Sequence, residues 1–341
     1  MTAERRPLAA VVLAAGEGKR MRSSLVKVLH PLAGRTMIHY VVNAVRESGA
    51  ERIVCVVGHQ HDRVQEALEG GDIAWAIQDE PLGTGHALLA AAHSLDDFEG
   101  DVLVCCGDTP LLTAATLRDV VRTHREAGAV ATVLAAVFDD PTGYGRVVTD
   151  GEGRVRRIVE ETDADAQTRS IRRINTGVFC FRWPDVRDGL ERLAPDNVQG
   201  ERYLTDVMEI LAAEGAPGTV SDLADPLEVM GINDRVQLAR AEAVLRERIR
   251  RKLMLEGVTF LAPETTIVDP EVAIGPDTVI YPGVVIEGGT SIGRECVLGP
   301  FSRIVDAHVG RGVELKGWNH VVNTTVPNGS ILEPYVQQGQ D

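Results

Sequence analysis

Leu13-Ala-Ala-Gly-Glu-Gly-Lys-Arg-Met-Arg22, entered from the apolar run Leu8–Leu13, decides how the chain reads. The run has the composition of a buried strand. Gly16 and Gly18 break it, and Lys19, Arg20 and Lys27 follow. A turn with two glycines brings backbone N–H groups close to an anion, and nearby cations balance several negative charges. That is the chemistry of a nucleoside triphosphate site. Two familiar phosphate loops do not fit. A Walker loop needs Ser or Thr after Gly-Lys, where Arg20 stands, and a dinucleotide fingerprint needs a third glycine where Met21 stands. For the glycines alone, an ordinary strand-to-helix turn with a solvated basic edge is the alternative.

The chain has 341 residues, enough for two domains, and its 44% apolar and 25% charged content is that of a soluble globular protein. The net charge of −15 argues against a broad grip on nucleic acid, whereas a nucleotide needs only the local cations at residues 19 to 27. The basic run Arg246 to Lys252 reads as a solvated helix face. Cys55, Cys105, Cys106, Cys180 and Cys296 show no CxxC spacing and read as buried free thiols in a reducing compartment. Arg5-Arg6 before the first apolar run faintly resembles a signal peptide, but that run leads straight into the glycine loop and reads as a strand. No apolar run is long enough to span a membrane, so no membrane partner is expected and the location expected is cytoplasmic.

Strand and helix patterns then alternate, which implies an α/β fold with a Rossmann-like, mostly parallel sheet and ligands at the carboxyl ends of its strands. Ile73–Ile77 precedes Gln78 and Leu82-Gly-Thr-Gly-His-Ala87. The Gly-Thr-Gly turn can open a helix over Ala87–Ala92 and offer backbone amides to a ligand. The Gln78 amide can pair with a base edge through donor and acceptor together, or simply end a strand at the surface. Val102–Cys106 ends in Gly107-Asp108-Thr-Pro-Leu. Asp108 at a strand end suits Mg²⁺ beside phosphates; otherwise it caps the helix beginning near Thr113. Polar groups beyond short apolar runs, Glu160, Glu161, Asn175 and Tyr203-Leu-Thr-Asp206, suit sugar hydroxyls, and singly each reads as a turn residue.

Asn233 or Asp234 is a good N-cap for a connector helix from about Arg235 to Glu256, with Gly257 as its stop. The period then changes. Val268, Ile274, Ile280, Ile286, Ile292, Leu298 and Ile304 fall every six residues, which is the hexapeptide repeat of a parallel β-helix. The phase slips by one after Ile304, where Val309, Leu315 and Val321 continue it. About ten hexads imply about three coils, with Pro327 and Pro334 at a frayed end near Tyr335. The domains expected are 1–234, a connector over 235–256, and 257–341.

Leu13-Ala-Ala-Gly-x-Gly-x-Arg-Met with Lys27-Val-Leu-His resembles the signature of sugar-1-phosphate nucleotidyltransferases. Adding Asp140-Pro-Thr-Gly-Tyr-Gly-Arg, Ile158-Val-Glu-Glu, Asn175-Thr-Gly and Gly231-Ile-Asn, the order of motifs resembles the bacterial N-acetylglucosamine-1-phosphate uridylyltransferases. The resemblance implies a second domain that is a short left-handed β-helix. It implies UTP and the sugar phosphate as partners, Mg²⁺ as cofactor, and a product that is a cell wall precursor. By resemblance, Leu13, Ala14, Ala15, Gly16, Gly18 and Lys19 with Arg20 hold the triphosphate, and Lys27 contacts phosphate at the reacting centre. Gln78, Gly83 and Thr84 bind the nucleotide, the first two reading uracil. Thr84, Gly145, Glu160, Asn175 and Tyr203 surround the amino sugar, and Asp108 and Asn233 hold Mg²⁺.

The chain departs from that family at Lys19, usually Thr, at Val26, usually Pro, and at Pro81, often Gln. The family's acetyltransferase half needs more coils, so acetyl transfer is expected to be absent, and His320 reads as a solvent-facing corner residue. Trimerisation through the β-helix is a further implication of the resemblance. The rival readings are a transferase for another sugar phosphate such as glucose-1-phosphate or another base, a catalytically silent binding subunit, and an acyltransferase acting through the β-helix.

Overall fold

The computed structural model describes residues 6–16, 18–68 and 71–339, so Arg5 and, in the glycine loop, Glu17 lie outside the described residues. The chain forms two compact units, residues 1–30 with 36–237, and residues 31–35 with 238–341.

In chain order the first part of the chain contains β1 (Leu8–Leu13), the short pair β2 (Pro31–Leu32) and β3 (Arg35–Thr36), α1 (Met37–Glu47), β4 (Arg52–Val57), α2 (His61–Ala67), β5 (Ile73–Ile77), α3 (Thr84–Ala92) and β6 (Asp101–Cys106). It continues with α4 (Ala114–Glu126), β7 (Ala131–Val137), β8 (Arg146–Thr149), β9 (Val155–Val159), α5 (Ala166–Arg169), β10 (Arg173–Arg182), α6 (Trp183–Glu191), α7 (Asp206–Ala213), β11 (Thr219–Asp222) and α8 (Arg235–Leu255).

β1 reads as an unbroken apolar run because both of its faces are covered. Ala10 and Val12 point into one core cluster, Ala9 and Val11 into the other. β1 pairs in parallel with β4 on one side and β6 on the other. The strand order β11-β7-β10-β6-β1-β4-β5 therefore turns back at β1, and the carboxyl end of β1 is the switch point where such sheets open a crevice. The sheet is more mixed than expected. β10 lies antiparallel between β6 and β7, and β8 and β9 extend it antiparallel.

The second unit is a three-walled parallel β-helix between Thr259 and Gly339, with walls of five, five and four strands. Every aliphatic of the repeat from Val268 to Val321 is buried. The expected three coils are an undercount, since the walls make four full coils and two sides of a fifth. Nor does the repeat fray. Early strands pair 18 residues apart, as Ile286 with Ile304, and later ones 17 apart, as Ile304 with Val321. The slip is one five-residue side per coil, taken at Ile304–Val309 and again at Val321–Val326, and it stacks in register. The shorter corner turns through Asp306 and Asn323, at φ 47° and 46°. Asp306 Oδ1 accepts the Gly289 N–H at 2.8 Å, which satisfies the donor left over by the longer corner before it. Pro327 and Pro334 sit in turns, and strands pair beyond both, at Ile331–Leu332 and Gln337–Gly339. His320 begins a wall strand and is not a corner residue; its Nε2 lies 3.4 Å from Arg303.

The basic run on α8 is not a solvated face throughout. Arg251 and Lys252 are exposed, but Arg250 is buried and Arg246 half-buried. The first coil donates its N–H groups to the second, Ile267 to Val284 O and Asp269 to Ile286 O, so carbonyls on its outer edge have no coil to accept from. Arg250 donates to Thr266 O at 3.2 Å and Arg246 to Val268 O at 3.2 Å. Spacing four residues apart puts both guanidinium groups on one helix face over that edge. Residues 31–35 join the same unit, with the Ala33 N–H on Glu242 Oε2 at 2.6 Å and Arg35 paired with Glu271. Arg250→Met keeps the apolar stem and strands a carbonyl. It is expected to destabilise the β-helix unit by about 1–3 kcal/mol, read as a shift in the denaturant midpoint of its unfolding. An unchanged midpoint would show that water serves the edge as well as the arginine does.

Candidate active site

The carboxyl end of β1 carries the glycine loop into a cleft of about 400 Å³. Two glycines make the approach possible. Gly18 has φ +64°, and a Cβ there would stand 2.6 Å from the Lys27 Cβ. Any other residue would push Lys27 away as well as strain the backbone. A side chain on Gly16 would meet nothing within 4 Å, so its absence leaves backbone open to a ligand. Gly18 leads into a short 3-10 turn, Lys19–Met21, anchored by buried Met21. Lys19 lines the cleft, whereas Arg20 is exposed on the turn beside it and is not part of its wall.

Lys27 begins a second 3-10 turn, Lys27–Leu29, and is buried. Its Nζ lies 2.5 Å from Asp108 Oδ2 and 3.2 Å from Asn233 Oδ1. The two acceptors are brought together by backbone, because the Ile232 N–H donates to Asp108 O at 2.9 Å. Asp108 caps no helix; Thr113 does, with its side chain accepting from Thr116 N. Nor does Asn233 cap α8. Asp234 Oδ1 accepts from Gln237 N, and Gln237 Oε1 reaches back to Asn233 N, a reciprocal cap that leaves the Asn233 side chain for the site. A carboxylate and an amide oxygen thus converge on one positive charge, and both are hard oxygen donors of the kind Mg²⁺ takes. Among the described residues no group of three or more His, Cys, Asp or Glu side chains forms a metal cage. A cation here would need further oxygens from its ligands, as phosphates provide.

Around Gln78 the donors are largely spoken for. Gln78 Nε2 lies 3.0 Å from Gly83 O and 3.1 Å from His86 Nδ1, so the amide does not offer donor and acceptor together as expected; Oε1 remains. The helix after it starts at Thr84 and not at Ala87. The Gly85 N–H is also spent, on Arg202 O at 2.8 Å, and is not free for a ligand. The segment around Arg202 is bound flush to this turn, with Arg202 N donating to Leu82 O. A Cβ on Gly83, at φ +104°, would stand 2.6 Å from Arg202 O. Glu201 reaches the cleft wall by this route. It is a residue the sequence did not single out, since it lies in an irregular segment with no period to place it.

Leu13, Ala14, Ala15, Gly16, Lys19, Lys27, Gln78, Gly83, Thr84 and Asp108 all line the cleft. Gly145, Glu160, Asn175 and Tyr203 do not. Three of these form a neighbouring cluster: Asn175 N donates to Gly145 O at 2.8 Å, and a Cβ on Gly145 would stand 3.1 Å from Glu160 Oε2. Asn175 Oδ1 accepts from Gly177 N, so its amide nitrogen is the group left to offer. Thr205 donates to Glu160 Oε1 at 3.2 Å. Buried Tyr203 precedes Leu204, whose N–H donates to Thr84 Oγ1 at 3.1 Å, and this ties the segment to the cleft. Cys106 stands between the two clusters and, unlike the other four cysteines, is only half-buried. Burial, then the charge of Asp108, pushes its thiol up to about 12, which keeps it protonated beside the glycine loop.

Acidic groups crowd the neighbouring cluster. Burial pushes Glu160 up. Asp206 is pushed up to about 6 by burial, then by Glu209 and Asp163. A carboxyl raised from 3.8 to about 6 opposes folding when ionised. Its penalty is absent below 3.8, grows as pH rises toward 6 and is constant above. Asp206→Asn is therefore expected to raise the melting temperature at pH 7 to 8, with the gain shrinking through pH 6 and vanishing below pH 4. A gain that does not vary with pH would show that the carboxylate carries no penalty.

Two known families match segments of the chain: the MobA-like NTP transferase domain over residues 10–178, and the bacterial transferase hexapeptide (six repeats) over residues 271–306. Among similar proteins is the bifunctional protein GlmU of Trichlorobacter lovleyi, 50% identical over 347 residues covering 97% of this chain and 75% of that protein. Those of Geotalea uraniireducens and Pelobacter propionicus are 46% and 49% identical, covering 96% of this chain and 72% and 69% of theirs. Among the described residues no helix is long and apolar enough to cross a membrane. Identity at this level over nearly the whole chain places it in the GlmU family of bifunctional proteins, with its first unit a nucleotidyltransferase.

Proposed function

We propose that the cleft joins UTP and N-acetylglucosamine-1-phosphate to give UDP-N-acetylglucosamine and pyrophosphate. The observation that carries this is the convergence of Lys27, Asp108 and Asn233 at the switch point beside the glycine loop. The glycine loop with Lys19 and Arg20 holds the triphosphate. Gln78, Gly83 and Thr84 take the base end. Gly145, Glu160, Asn175 and Tyr203 surround the sugar. A sugar phosphate is already a nucleophile at neutral pH, so the protein needs no general base. Its oxygen attacks the α-phosphate and pyrophosphate leaves in line.

The task left to the protein is to hold two anions together and to offset the charge that develops. Lys27 does so at the reacting centre, drawn from the carboxylate that holds it in the free enzyme. Asp108 and Asn233 are the residues that would hold Mg²⁺, which when bound supplies charge stabilisation to the phosphates. The enzyme works in the cytoplasm, in keeping with its free thiols.

The β-helix residues are assigned to assembly, as a trimer, and not to acetyl transfer. Its wall histidines His308 and His320 lie 2.6 Å from Ser291 and 3.4 Å from Arg303. An exposed column of adjoining aromatics, Phe301, Trp318 and Tyr335, offers apolar surface for self-association. Sedimentation of the 341-residue chain should give a trimer, and acetyl-coenzyme A with glucosamine-1-phosphate should release no free thiol. A monomer, or steady thiol release needing both substrates, would reverse the respective assignment.

Lys27→Ala should lower kcat more than it raises KM for either substrate. Asp108→Ala should lower turnover by at least ~100-fold, as the loss of several kcal/mol of charge stabilisation requires. Both are read by pyrophosphate release from UTP with a panel of sugar phosphates. Full activity of the Asp108 variant, or preference for glucose-1-phosphate, would overturn the corresponding part of the reading.

A further inference from the structure

Gln78 and His86 carry an inference that deepens the nucleotide reading and rests on it. The Gly83 carbonyl is held in place by α3, where it accepts the Ala87 N–H at 3.1 Å. A carbonyl can only accept, so the Gln78 amide atom 3.0 Å from it is the nitrogen. That nitrogen has two hydrogens. The second points at His86 Nδ1, 3.1 Å away. For this contact to be a hydrogen bond, Nδ1 must offer its lone pair, which makes His86 the neutral tautomer protonated at Nε2. Both amide hydrogens are then consumed inside the protein. Oε1, with no protein partner among the described residues, is what Gln78 presents to the cleft it lines.

We propose that His86 is a positioning residue that fixes the orientation of the Gln78 amide and so sets the base preference. With Oε1 facing the base, the site accepts a hydrogen from an imide N–H, such as N3–H of uracil. Cytosine has a lone pair at that ring position, and two acceptors would face each other. Without His86 one amide hydrogen loses its partner, and the amide can pivot about its bond to the Gly83 carbonyl until that hydrogen, and not Oε1, faces the base. The Gly83 carbonyl alone does not forbid an amide that pivots about it. His86 sits in the first turn of α3 and is half-buried, so its side chain can change without removing a backbone hydrogen bond of the helix.

The experiment compares kcat/KM for UTP and CTP in the full chain with N-acetylglucosamine-1-phosphate. His86→Leu removes the acceptor and is expected to lower the UTP-to-CTP ratio about tenfold, the worth of one hydrogen bond. His86→Lys places only donors there and is expected to lower it likewise, so it carries the test if the leucine variant fails to fold. His86→Asn, whose Oδ1 can stand in for Nδ1, is expected to restore most of the ratio. An equal fall for both nucleotides, with the ratio unchanged, would overturn the role of His86, as would an asparagine variant no more selective than the leucine one. A wild-type enzyme that favours CTP would instead overturn the UTP reading itself.

Discussion

A single ammonium group ties the nucleotidyltransferase unit together. Lys27 Nζ meets Asp108 and Asn233, which lie 81 and 206 residues away along the chain. A buried lysine is tolerable only where opposite charge and hydrogen-bond acceptors are at hand. Each partner is delivered by a different device: Asp108 by the end of β6, Asn233 by the backbone bond that pins Ile232 to it, and Lys27 by a 3-10 turn that packs where Gly18 has no side chain. Remove any one device and the other two present unpaired polar groups.

The rest of the cleft follows a related economy. Polar groups near the ligand are spent on bracing one another, and only selected atoms are left to bind. Gln78 uses its nitrogen and keeps an oxygen. Asn175 uses its oxygen on Gly177 and keeps a nitrogen. Thr84 accepts from Leu204, and the Gly85 amide is spent on Arg202. Bracing of this kind pre-orients the groups that remain, so less freedom is lost when a ligand arrives. Burial of Glu160 and Asp206, with neighbouring carboxylates adding to it, is the energetic cost of the adjoining cluster, visible as the raised pKa of both carboxyls.

In the second unit the governing constraint is an open edge. A parallel β-helix satisfies its backbone coil by coil, which leaves the first coil with carbonyls that nothing follows. Arg246 and Arg250 of α8 reach that edge and donate to Val268 and Thr266. Guanidinium suits the task, having several donors on a long apolar stem that packs as it reaches. The coil itself tolerates 17 residues in place of 18 because the missing residue comes out of a corner and not out of a wall.

The sequence by itself determined the order of the elements, the two architectures and most of the nucleotide loop. Those features are written in local signals: a run buried on both faces, a glycine pair, a six-residue period. Lys27, Asp108 and Asn233 were singled out by the resemblance of the motifs around them, and folding brings the three side chains together. Tertiary structure alone decided which atoms those motifs leave available. Nothing local says that the Gln78 nitrogen faces His86, that Glu201 reaches the cleft, or that Arg250 serves a carbonyl instead of water. Each of these depends on a partner brought close by folding, and the composition of one strand or turn carries no record of what will lie against it. The coil count failed for the same reason. Spacing on paper shows a slipped phase, and only the paired walls show that a five-residue side, repeated once per coil, keeps the stack in register.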